Sequence, residues 1–200
     1  MGLKTLVKVG EVSNLSDARY CAGMGVELIG FNLDKSSANY VSVETFTAIT
    51  GWIEGVQFVA EFENSSLNEI NEMMNEYEVS FLQVNSTALV DELIAANTDK
   101  KIILKLSSSS TTFNQTIEAY SDKVSYFLTE ATDDKLPELQ TYGAPILIGS
   151  GVSVESLEHI LSVMHPAGIA LKGSPEIRPG YKDFDELADI LEALETEDYE

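Results

Sequence analysis

The chain has 200 residues, 44% of them apolar, and 33 acidic against 12 basic side chains give a formal charge of −21. That length suits one domain spanning residues 1–200, with an acidic tail from about 195 expected to fray, and the charge argues against nucleic acid or anionic membrane as a partner. No apolar run is long enough to span a bilayer, the N-terminus lacks a signal-peptide pattern, and the single Cys21 excludes both an intramolecular disulfide framework and a cysteine zinc cluster, so a cytoplasmic protein is expected.

The first strand is the β-branched run at Val7–Val9, and Ser13 to Ser16 supplies cap candidates for a helix carrying Leu15, Ala18 and Ala22 and stopped by Gly23 and Gly25. Leu28 to Phe31 is the second strand, followed by a polar loop from Asn32 to Ser42 and a helix from Val43 to Trp52 with Ser42 as its cap. Val56 to Glu61 reads as a third strand, and Ser66 with Glu69 forms a capping box for an amphipathic helix through Tyr77. Phe81–Val84 and Lys101–Leu106 read as strands four and five, separated by a helix with Leu89, Leu93, Ile94 and Ala96 on its apolar stripe. Ser107 to Thr112 is a serine and threonine run expected to be a flexible loop, and Val124 to Leu128 is a sixth strand. Asp133 or Asp134 caps a short helix through Gln140. Pro145–Ile148 and Gly168–Lys172 are strands seven and eight, with a helix through Val163 between them and a last helix from about Phe184, where Asp183 and Glu186 have capping spacing. Eight strands alternating with helices describe an α/β chain, and most economically a closed (β/α)8 TIM barrel. An open doubly wound sheet is the alternative, weakened because Gly10-Glu11-Val12-Ser13 lacks the glycine pattern of a dinucleotide turn.

The opening residues Lys8-Val9-Gly10-Glu11-Val12-Ser13, then Asp17-Ala18 and Gly25-Val26-Glu27-Leu28-Ile29-Gly30-Phe31, carry a resemblance. They are similar to the opening of the phosphoribosylanthranilate isomerase family, the small barrels of tryptophan biosynthesis, which read Lys-Ile-Cys-Gly-Ile-Thr, Asp-Ala and Gly-Ala-Asp…Leu-Gly-Phe. At the other end, Gly149-Ser150-Gly151-Val152 and Ala170 to Glu176 stand where that family has Ala-Gly-Gly-Leu and Asp-Val-Ser-Ser-Gly-Val-Glu, and Pro179-Gly180, Lys182 and Asp183 complete its closing pattern. The resemblance implies an Amadori rearrangement, which needs a general acid and a general base. Yet the family's catalytic cysteine falls on Gly10 and its catalytic aspartate on Thr129. Its substrate-gripping arginine falls on Asn39 and its His-Gly on Asn85-Ser86.

In such a barrel the working face is at the C-terminal ends of the strands, which here hold Lys8, Glu11, Asn39, Glu61, Gln83, Asn85, Lys105 and Thr129. The resemblance implies a phosphate site at Gly149, Ser150, Gly151, Lys172, Gly173 and Ser174, where glycine-rich turns can offer backbone N–H groups to an anion. The leading expectation is therefore a barrel that binds a phosphorylated small molecule without isomerase chemistry, as a monomer or homodimer. A second is a working isomerase whose acid and base have moved to Glu130 and Glu11. A third is a lyase using Lys8, Lys105 or Lys172 as a Schiff-base nucleophile, against the plainer reading that these lysines pair with Glu61 or Glu11. His159 and His165 read as surface residues on and after the helix that follows strand seven, Cys21 reads as packing, and neither a metal set nor a cofactor motif is visible.

Overall fold

The computed structural model describes residues 2–107, 112–129, 143–173, 176–178, 181–182 and 185–196. Eight parallel strands close in chain order into one barrel: β1 (Leu6–Gly10), β2 (Leu28–Asn32), β3 (Gln57–Glu61), β4 (Phe81–Val84), β5 (Lys101–Leu106), β6 (Tyr126–Thr129), β7 (Ile146–Ile148) and β8 (Gly168–Lys172). Pairing of β1 with β8, from Leu6 opposite Gly168 to Gly10 opposite Lys172, completes the ring and fixes a (β/α)8 barrel. Each strand bound agrees with the sequence expectation to within two residues.

The outer layer is built from α1 (Leu15–Gly23), α2 (Val43–Thr50), α3 (Leu67–Met73), α4 (Thr87–Ala95), α5 (Phe113–Tyr120), α6 (Val154–His159) and α7 (Asp185–Leu194). Local chemistry sets where several of them begin. Asn14 caps α1 by accepting from Asp17 N–H at 2.9 Å, Ser42 caps α2, and the Ser66–Glu69 capping box opens α3. α6 runs on into a π-helical turn at Ile160–Met164, and His165 ends it in the left-handed region at φ 43°. No helix among the described residues is long and apolar enough to cross a membrane.

Two features stand apart from the sequence expectation. Helix α5 begins at Phe113, immediately after the serine and threonine run, whose residues 108–111 lie outside the described set. Beyond β8 the chain forms an antiparallel ribbon of β9 (Glu176–Arg178) and β10 (Tyr181–Lys182), where the sequence suggests only a loop. The expected helix at 133–140 and the cap at Asp183 also fall outside the described residues, as does the tail from 197.

Strand alternation sorts the side chains into two apolar clusters. Leu28, Val59, Phe81, Ile103, Leu128, Leu147 and Ala170 fill the barrel interior, while their neighbours along each strand, such as Ile29, Ala60, Leu82 and Phe127, pack outward under the helices. The interior changes character toward the C-terminal ends. There the inward positions are Lys8, Asn32, Glu61, Gln83, Lys105 and Lys172.

Candidate functional site

The inward positions at the ends of β1 to β8 converge on one small cavity at the mouth of the barrel, about 40 Å³ in volume. Register sets Asn32, Glu61 and Gln83 side by side on β2, β3 and β4. Lys8 stands beside them from β1, only 2% exposed, and its Nζ forms an ion pair with Glu61 Oε1. The other carboxylate oxygen, Glu61 Oε2, accepts from the N–H of Glu11 at 2.9 Å. That donor is turned inward because Glu11 adopts φ 56°, a left-handed conformation that costs a residue with a side chain free energy.

Glycine at positions 10 and 30 makes room for this pair. A Cβ on Gly10 would lie 2.5 Å from Glu61 Oε1 and 2.9 Å from Lys8 Nζ, and one on Gly30 would lie 2.7 Å from the Glu61 carboxyl carbon. Real Cβ atoms are not found that close to another heavy atom. The space into which a side chain at position 10 would project is filled by the Lys8–Glu61 pair.

The other two mouth lysines also have carboxylate partners. Lys172 Nζ lies 3.3 Å from Glu11 Oε1, and Lys105 Nζ lies 3.8 Å from Glu63 Oε1, both in partly exposed positions where such pairs contribute little. The buried Lys8–Glu61 pair differs in kind, because removing one member would strand the other's charge in an apolar barrel. Nearby, Gln83 Oε1 is buried with no hydrogen-bond partner.

Three of the strand-end residues singled out in the sequence do not reach this cavity. Thr129 has the outward parity of Phe127 rather than the inward parity of Leu128, so its side chain is buried away from the mouth and its hydroxyl has no hydrogen-bond partner. Asn85 follows the last residue of β4 and is exposed. Asn39 is also exposed, because the loop after β2 is pinned on either side of it. On one side Tyr77 donates to Val41 O at 3.0 Å and accepts from Tyr40 at 3.0 Å; burial first, and then the Tyr40 hydroxyl, push the Tyr77 phenol up from its ordinary pKa. On the other side is Asp34. Glu130 lies outside the described residues.

Asp34 is the polar group that the sequence reading missed. It is 3% exposed and accepts from Ser36 N–H at 3.0 Å, Ser36 Oγ at 2.6 Å and Asn64 N–H at 2.7 Å, thereby clasping the loop after β2 to the loop after β3. Burial alone would raise its carboxyl, but these donors outweigh burial and hold it below the usual carboxylate range. The Asp-x-Ser spacing, typical of a side chain that closes its own turn, was the available signal.

The glycine turns after β7 and β8 border a second, wider cleft of about 450 Å³, which also takes in Asp185, Glu186, Leu187 and Ile190 of α7. Gly149, Ser150, Gly151, Lys172 and Gly173 all line it, whereas Ser174 lies outside the described residues. Two of the expected amide donors are already committed. Gly149 N–H donates to Thr129 O at 2.8 Å and Gly173 N–H to Gly10 O at 2.7 Å, the latter where the β8 loop passes so near β1 that a Cβ would meet two carbonyl oxygens at 3.2 Å. Gly151, at φ 65°, turns its carbonyl to Ser156 Oγ at 2.6 Å. An anion in this cleft therefore depends on Lys172 and the remaining amides, and it faces the two carboxylates of α7. Among the described residues no group of three or more His, Cys, Asp or Glu side chains is placed to hold a metal ion. His159 and His165 are exposed and Cys21 is buried.

No protein-family model matches the chain. N-(5'-phosphoribosyl)anthranilate isomerase of Maridesulfovibrio salexigens is 24% identical over 207 residues, covering 96% of this chain and 99% of the relative, and that of Rippkaea orientalis is 22% identical over 205 residues, covering 94% and 95%. Among solved structures, phosphoribosyl anthranilate isomerase from Thermus thermophilus superposes with a TM-score of 0.79 at 20% identity, covering 95% of this chain and 98% of the other. A phosphoribosyl anthranilate isomerase in complex with reduced 1-(o-carboxyphenylamino)-1-deoxyribulose 5-phosphate gives 0.78 at 19% identity, with the same coverage. With the barrel closed strand for strand and the sequence similarity spanning 94–96% of the chain, the comparisons support a relationship between this chain and the phosphoribosylanthranilate isomerases.

Proposed function

We propose that this barrel binds a phosphorylated small molecule at its C-terminal face and does not carry out the isomerase reaction. One observation carries the reading. The position matching the family's catalytic cysteine is Gly10, and the volume a side chain there would need is taken by the buried Lys8–Glu61 pair. The loss is thus built into the packing and not confined to one substitution. Thr129, at the position matching the catalytic aspartate, has neither the acidity nor the orientation for proton transfer at the mouth. A positioned acid or base each contributes about a hundredfold to ten-thousandfold in rate, so losing both removes useful turnover. The phosphate part of the reading is supported by the cleft that Ser150, Gly151 and Lys172 line, although Gly149 and Gly173 use their N–H groups internally.

Purified protein should show no conversion of phosphoribosylanthranilate and should not rescue a tryptophan auxotroph that lacks the isomerase. In a thermal-shift panel, ribose 5-phosphate and inorganic phosphate should raise the melting temperature of the wild type, free ribose should not, and Ser150→Asp should abolish the effect by adding a negative charge to the cleft. Rescue of the auxotroph would overturn the reading, as would phosphate esters that stabilise wild type and Ser150→Asp equally.

The left-handed backbone at Glu11 favours one second reading, a working isomerase with a relocated acid and base, because strain of this kind concentrates at active sites. Its signature is rescue that disappears in Glu11→Gln. The lysine-dependent lyase has less support, since Lys8, Lys105 and Lys172 each sit beside a carboxylate. Borohydride with aldehyde or ketone sugar phosphates should leave all three unmodified by mass spectrometry.

A further inference from the structure

We infer that the Lys8–Glu61 pair acts as a length filter, so that the site accepts compact, non-aromatic sugar phosphates and turns away esters carrying an aryl group at the end remote from the phosphate. The inference rests on the phosphate reading above and deepens it. The wide cleft and the mouth cavity meet along Gly149, Ala170, Leu171 and Lys172, which line both. A ligand with its phosphate beside Ser150 and Gly151 that extends across Lys172 toward the barrel axis would meet the mouth cavity, about 40 Å³ in volume among the described residues. That is little more than one water molecule, whereas an apolar cavity that admits benzene measures about 150 Å³.

The floor of that cavity resists yielding to a larger group. The Glu61 carboxylate lies over the bare backbones of Gly10 and Gly30, and both of its oxygens are engaged, by Lys8 Nζ and by Glu11 N–H. Swinging either side chain aside would separate two charges inside an apolar barrel. The rim is also closely balanced in charge, with Lys105 beside Glu63 and Lys172 beside Glu11, so it offers an uncharged hydroxyl terminus more than it offers a carboxylate. Gly10 and Glu61 thus work together as specificity-determining residues: the glycine admits the glutamate, and the glutamate with its lysine shortens the site.

The test is isothermal titration of ribose 5-phosphate and of reduced 1-(o-carboxyphenylamino)-1-deoxyribulose 5-phosphate into the wild type and two double variants. The wild type should bind ribose 5-phosphate at least about tenfold more tightly than the aryl analogue. Lys8→Ala with Glu61→Ala, which empties the floor without leaving a charge, should erase that preference by gaining about tenfold or more for the aryl analogue. Lys8→Met with Glu61→Leu, which keeps the volume and removes the charges, should retain the wild-type preference and guards against misfolding of the first variant. Equal or tighter binding of the aryl analogue by the wild type would overturn the filter while leaving the phosphate reading intact. An unchanged preference in a folded alanine double variant would also overturn it. If neither ester binds the wild type, the phosphate reading itself fails and the filter with it.

Discussion

On the reading proposed above, Gly10 and Lys8 together decide what a single substitution at position 10 would meet. Gly10→Cys places a side chain against Glu61 Oε1 and Lys8 Nζ, and overpacking of that kind costs about 1–3 kcal/mol. Urea unfolding should show that loss, and the variant should remain inactive as an isomerase. Lys8→Met, which leaves the Glu61 carboxylate buried without its cation, should cost about 3–5 kcal/mol, whereas Lys8→Met with Glu61→Leu should fall close to wild type or above it. A double variant as damaged as the single would mean that the pair stabilises by packing and not by charge compensation. Much of this site was legible in the sequence. Strand-end counting brings Lys8, Glu61, Gln83 and Lys105 to one place, and Lys8 and Lys172 stand beside Glu61 and Glu11. The outward face of Thr129 is not legible, because a shift of one residue along a strand reverses the face a side chain takes and the end of β6 offers no alternation strong enough to fix its parity. The buried role of Asp34 does not follow from the polar character of its loop, although its spacing from Ser36 already describes a closed turn.

At the level of elements, the loops after β2 and β3 behave as one unit because a buried carboxylate joins them. The Asp34 carboxyl titrates below its unfolded value of about 3.9, so its contribution is complete above that pH and is lost as pH falls through the lowered folded value. The stability gap between wild type and Asp34→Asn should accordingly be wide at pH 7 and should close as the pH drops below about 4. A gap independent of pH would assign the clasp to shape and not to charge. Ser66→Ala should cost about 1 kcal/mol by removing the capping box that opens α3. Caps, glycine stops and short apolar runs made most of the helices and all eight strands readable, since each is a local signal. The elements that escaped lack one. Helix α5 starts at Phe113 with no side-chain capping hydrogen bond from the preceding Thr112, and sits behind a run of small polar residues. The β9–β10 ribbon pairs segments of three and two residues, too short for any hydrophobic period to register.

Over the whole molecule, a formal charge of −21 opposes compaction, whereas at the mouth each of three lysines has a carboxylate partner. Added sodium chloride should therefore raise the melting temperature between about 10 mM and 500 mM, as the screening length falls from roughly 30 Å toward a few ångströms. A melting point insensitive to salt would show that the acidic surface is already neutralised by bound counterions. Before β1 and after α7 the backbone is stitched to itself. Leu3 bridges Glu195 in antiparallel fashion, Lys4 N–H donates to Leu194 O at 2.9 Å, and Thr196 N–H donates to Gly2 O at 2.9 Å. Positions 2 and 196 therefore lie within one hydrogen bond of each other, so a circular permutant is geometrically within reach. A short Gly-Ser linker joining the two ends, with the chain reopened between Asn97 and Thr98 ahead of β5, should fold to the same barrel. It should lose little more than the left-handed turn at Asn97, because every β-sheet pair would be kept while the order of synthesis changed.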